Sequence, residues 1–141
     1  MRLKRPLLII FAILAIPYIN ATGGEFSIYG FTNNQHVETH LQFTHGFYSS
    51  VQFMPNEVVR NGYGVYAVFN DTVFMLSLNK NYQFLNQKLD DSQVLETDSI
   101  QHLSKINIAQ LSSDEHTIYI QQRLEYEKID NIQFKGELGF W

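Results

Sequence analysis

Cysteine is absent from the 141 residues. No disulfide can staple the fold, and no thiol is present to act as a nucleophile, so the core carries stability alone. Basic residues are few, ten Lys and Arg against fourteen Asp and Glu, for a net charge of −4. Beyond the N-terminus they form no cluster, which excludes the electropositive footprint that nucleic acid requires. Long apolar runs are missing apart from one near the start. No stretch after it has the period of a long helix, and no internal repeat occurs. No serine stands in a glycine-framed elbow, so nucleophilic catalysis has no motif to rest on. What the chain has instead is aromatic residues, eleven Phe and eight Tyr, which suit pleated sheets. The length fits one domain with its own core.

The single apolar run, Leu7 to Ile16, follows Arg2, Lys4 and Arg5 and precedes Pro17 and the small residues Ala21, Thr22 and Gly23. That order is the basic region, apolar region and cleavage zone of a secretory signal peptide. The run falls short of the roughly 20 apolar residues of a membrane span, with an uncleaved anchor as the alternative. Residues 1–23 therefore read as a signal peptide and 24–141 as the domain. The mature chain of about 118 residues is expected to be secreted or extracytoplasmic, with no membrane contact after cleavage. Asn70-Asp71-Thr72 fits the acceptor pattern for N-glycosylation.

The mature chain alternates apolar and polar residues in short segments, with turn chemistry between them. Phe26 to Phe31, Val37 to Phe43, Tyr63 to Phe69, Thr72 to Leu78 and Tyr82 to Leu85 each read as strands. The pattern returns at Ile106 and Ile108, at Ile118 to Tyr126 and at Ile132 to Phe140. Asn70-Asp71 reads as a hairpin turn, Gln87 to Ser99 as a polar loop, and Ser99 to Lys105 as one helical turn. Eight or more strands at this spacing indicate an antiparallel sandwich or barrel.

His36, Glu38 and His40 offer the residue types of a metal site. On a strand, residues two apart lie about 6.6 Å from one another and those four apart about 13 Å. Three such side chains cannot share an ion that needs ligands at about 2 Å. No metal and no cofactor is implied. The Asp90-Asp91 pair sits in the polar loop and reads as solvated.

The stretch Ser49 to Val68 draws most attention. Pro55-Asn56 marks one turn and Asn61-Gly62, a strong hairpin signal, a second. Three tight strands would gather Gln52, Met54, Asn56, Asn61, Tyr63 and Tyr66 on a small face of amides and rings. Such a face suits a neutral polyhydroxylated ligand; it also suits an ordinary solvated sheet. Val51-Gln52-Phe53-Met54-Pro55-Asn56, then Val59-Arg60-Asn61, then Tyr63-Gly64-Val65-Tyr66-Ala67-Val68 resembles the sugar-binding segment of a galectin domain. The C-terminal segment Arg123 to Leu138 resembles that family's late strands.

The resemblance implies a two-sheet, antiparallel jelly-roll sandwich and binding of galactosides. It also implies altered or lost specificity, because Gln52, Met54, Asn56, Val68 and Tyr66 stand where the family has its sugar-contacting His, Asn and Arg residues and its orienting Glu. Asn61 is retained, and Tyr63 replaces the stacking Trp. The expected carbohydrate-binding residues are thus Gln52, Asn56, Asn61, Tyr63 and Tyr66. The expected function is non-enzymatic binding of a neutral glycan or glycoprotein, the alternative being a secreted β-sandwich that contacts a protein partner.

Overall fold

The computed structural model describes residues 4–32, 37–54, 57–84, 106–112, 117–122 and 125–141. Among these residues one helix, α1 (Lys4–Thr22), precedes eight strands: β1 (Glu25–Thr32), β2 (Glu38–Thr44), β3 (Phe47–Phe53), β4 (Val58–Phe69), β5 (Thr72–Phe84), β6 (Ile106–Leu111), β7 (Thr117–Gln122) and β8 (Glu125–Glu137). Each strand pairs antiparallel with the next, and β8 returns to β1, so the eight close into one barrel.

The all-β, antiparallel expectation holds, but the strands do not divide into the two packed sheets of a jelly roll. Alternation fixes which side chains point inward and is the same for a sandwich and a barrel; it carries no information on strand order. Pairing order decides, and here it is a simple meander closed by the β1–β8 contact. Closure removes the free sheet edges that a sandwich leaves.

Asn61-Gly62 does not turn the chain. Neither residue has a positive φ. Asn61 pairs with Val51 and Asn81, and Gly62 with Ser50 and Lys80, deep within β4. The expected two strands flanking that turn are one strand of twelve residues. Likewise Thr72 to Phe84 runs unbroken as β5 rather than as two pieces. The Asn70-Asp71 hairpin forms as expected, with Asn70 at φ 51°. The loop Gln87 to Ser99 and the helical turn Ser99 to Lys105 lie outside the described residues.

The barrel has two unlike ends. At one end are the start of β1, the β2–β3 turn at His45-Gly46 and the β4–β5 turn. Here Phe26, Phe43 and Tyr66 pack: Phe26 and Phe43 stack with centroids 4.2 Å apart, and Tyr66 meets both edge-on. Val68, Val73, Ile118 and Ile129 complete this apolar plug, each buried side chain contributing about 1.5–3 kcal/mol. The last turn of α1 seals the same end, with Asn20 and Ala21 fully buried. Below this plug the interior turns polar, before Val37, Met54 and Val58 bury apolar side chains again at the far rim.

Candidate functional site

Three rows of inward residues step away from the sealed end, each fixed by strand register. Phe43, Tyr48, Gly64 and Ser77 form the first row, and Leu41, Ser50, Gly62 and Lys80 the second. The third is Thr39, Gln52 and Arg60. Thr39, Leu41, Tyr48, Ser50, Gln52, Arg60, Gly62, Met75, Ser77, Lys80, Asn107 and Ile120 line one recess with a cavity volume of about 60 Å³ that opens to solvent.

Two glycines make the room. A Cβ on Gly64 would fall 2.7 Å from the Tyr48 ring and 2.0 Å from the Leu76 carbonyl oxygen. A Cβ on Gly62 would fall 2.7 Å from Ser50 Oγ. Side chains at these inward positions would close the lane between β3 and β5.

The polar row is wired internally. Arg60 donates from Nη2 to Gln52 Oε1, and Gln52 Nε2 donates to Thr39 Oγ1 at 3.1 Å. All three residues are buried. A guanidinium taken out of water is tolerated only where its donors are met, so this chain of bonds holds Arg60 in place. Deeper in, the Tyr48 phenol has its pKa pushed up by burial, partly offset by a hydrogen bond with Ser77. One acceptor stands out: Asn107 Oδ1 is buried and has no hydrogen-bond partner among the described residues. Leaving such an oxygen unmet costs about 1–3 kcal/mol, and a ligand hydroxyl would meet it.

The five residues expected to bind sugar do not share a face. Gln52 lies inside, in the recess. Tyr66 also points inward but belongs to the apolar plug, its hydroxyl donating to the carbonyls of Ala21 at 2.9 Å and Gly24 at 3.2 Å. Asn61 and Tyr63 have the opposite parity on β4 and face outward, Tyr63 being 53% exposed. Asn56 lies outside the described residues. With no turn at Asn61-Gly62, strand alternation carries Asn61 and Tyr63 to the far side of the wall from Gln52.

Sequence reading passed over Thr39, Ser50, Arg60, Ser77, Lys80 and Asn107. The signal was present for Arg60, which shares its inward parity with Val58, Tyr66 and Val68 along β4. A charge at an inward position of a strand is informative once the strand's length is known.

Of the histidine group, His36 lies outside the described residues. His40 Nε2 sits 2.9 Å from Glu38 Oε1 on the outer surface, beside Tyr29. Among the described residues no group of three or more His, Asp or Glu side chains is placed to hold a metal ion. No family model matches the chain, and no curated protein matches it.

Proposed function

We propose that the protein is an exported carbohydrate-binding barrel that takes a small neutral glycan unit into its interior, not onto an outer sheet face. The observation that carries this reading is the recess in which the Arg60–Gln52–Thr39 chain and the unmet Asn107 Oδ1 line a space floored by Leu41, Met75 and Ile120. A sugar hydroxyl both donates and accepts, which suits a wall holding a guanidinium donor and an amide acceptor. The C–H face of the ring suits the apolar floor. The reading is of binding without catalysis.

Calorimetric titration of the whole chain against a panel of neutral mono- and disaccharides tests it. Saturable binding lost in Asn107→Leu is the expected result. No binding across the panel, or full affinity in Asn107→Leu, would sink the interior site.

A second reading, contact with a protein partner, rests on the outer wall. Phe47, Val65, Leu76 and Ile106 are register partners across β3 to β6 and face outward as one apolar row. Phe47, Leu76 and Ile106 in that row are exposed. A blank sugar panel together with a partner whose capture is abolished by Leu76→Lys would favour this reading over the first.

A further inference from the structure

The last turn of α1 is wired into the barrel by a side chain. Asn20 is fully buried. Its Oδ1 accepts from the backbone N–H of Phe140 at 2.8 Å and of Trp141 at 3.2 Å. Its Nδ2 donates to the carbonyls of Trp141 at 3.1 Å and Val68 at 3.4 Å. One amide thus spends both donors and both acceptor positions on the C-terminal segment and the end of β4. A Cβ on Gly139 would fall 2.4 Å from Asn20 Oδ1, so the C-terminal segment is fitted closely around this side chain. Ala21 O holds the Tyr66 hydroxyl, and Gly24 O accepts from His45 N at 2.9 Å. Chain cleavage after Ala21 or Gly23 would remove the centre of this knot and strip Phe140, Trp141, Val68 and the Tyr66 hydroxyl of these partners.

The other end of α1 is the reverse case. Leu8, Ile9, Ile10, Phe11, Ala12 and Ile13 are all exposed. Successive helical residues are turned by about 100°, so six in a row point to every side of the helix. A second copy of the chain would cover one stripe and leave the rest in water. Only an apolar medium covers all sides at once. From these two observations together we propose that α1 is retained on the folded protein and that its exposed part seats in a lipid bilayer, tethering the barrel to the membrane surface. Among the described residues no helix is long and apolar enough to cross a membrane, and six helical residues rise about 9 Å, a depth that one leaflet accommodates.

The test uses the full chain, expressed in a host that exports and processes leaders, with the intact mass measured and the protein floated with phosphatidylcholine vesicles. The expected result is a mass that includes α1 and co-flotation with the vesicles. The triple variant Leu8→Gln, Phe11→Gln, Ile13→Gln should keep the parent's thermal midpoint, because these side chains are exposed, while the vesicle-bound fraction falls about ten-fold or more. A folded protein whose chain begins at Thr22 or Gly24 overturns the proposal. So does a chain that keeps α1 but stays with the unfloated fraction, or a triple variant that floats as well as the parent.

Discussion

The Tyr66 hydroxyl donates to the Ala21 carbonyl at 2.9 Å, joining the middle of β4 to the last turn of α1 across the sealed end of the barrel. The same hydroxyl reaches Gly24 O at 3.2 Å, and the ring packs edge-on to Phe26 and Phe43. Tyr66→Phe keeps the ring and deletes only the hydroxyl, while Ala21 O keeps the N–H of Gly24 and Gly24 O keeps that of His45. The expected cost is about 0.5–1.5 kcal/mol, read in a domain of this size as a fall in Tm of about 2–6 °C. An unchanged midpoint would show that Tyr66 acts here only as a ring.

The two inward glycines of β4 predict opposite outcomes. Gly64→Ala drives a methyl group to 2.0 Å from the Leu76 carbonyl oxygen, a backbone atom that cannot turn aside. Overpacking of this kind costs about 1–3 kcal/mol or more. Gly62→Ala meets Ser50 Oγ at 2.7 Å, the end of a side chain that can rotate. It should fold with little loss, under about 1 kcal/mol, yet narrow the recess. Urea midpoints of the two variants, with sugar titration of Gly62→Ala, check both halves.

How much was legible beforehand depended on what alternation can encode. The inward set of β1 and β2, Phe26, Ile28, Leu41 and Phe43, was readable because apolar and polar residues alternate from Glu25 to Ile28 and from His40 to Thr44. The Asn70 turn was readable because asparagine tolerates the left-handed backbone found there. Asn61-Gly62 misled for the same reason, since a dipeptide able to turn is not obliged to. Its residues are held extended by partners on both neighbouring strands, and that tertiary pairing is invisible in a local window. The recess was missed with it: Thr39, Gln52 and Arg60 meet only through register across three strands.

Alkaline pH should destabilise the barrel through its buried phenols. Burial raises the pKa of Tyr48 and of Tyr66 above the usual value near 10, each offset in part by a hydrogen bond. A raised pKa means the folded state holds its proton where the unfolded state has released it. The stabilisation is therefore fully present below the unfolded value and is lost as pH rises through the folded one. Urea midpoints should hold steady from neutrality to about pH 9 and then decline. Tyr48→Phe should make the decline shallower, and an identical slope in that variant would assign it elsewhere.

The side of the wall on which sugar binds can be read from paired variants. Tyr63 and Asn61 face outward on β4, whereas Gln52 lies inside and bridges Arg60 to Thr39. If the ligand enters the barrel, the double variant Asn61→Ala, Tyr63→Ala touches neither the recess nor its hydrogen bonds, and affinity should stay within about two-fold of the parent. Gln52→Leu removes both the acceptor for Arg60 and the donor to Thr39. It should lower stability by about 1–3 kcal/mol. Affinity should also fall by about ten-fold or more, the equivalent of one or two neutral hydrogen bonds. Calorimetry with one sugar on both variants, run well below their unfolding midpoints, separates lost contact from lost fold. The reverse pattern, affinity lost in the double variant and kept in Gln52→Leu, would place the ligand on the outer face beside the Tyr63 ring.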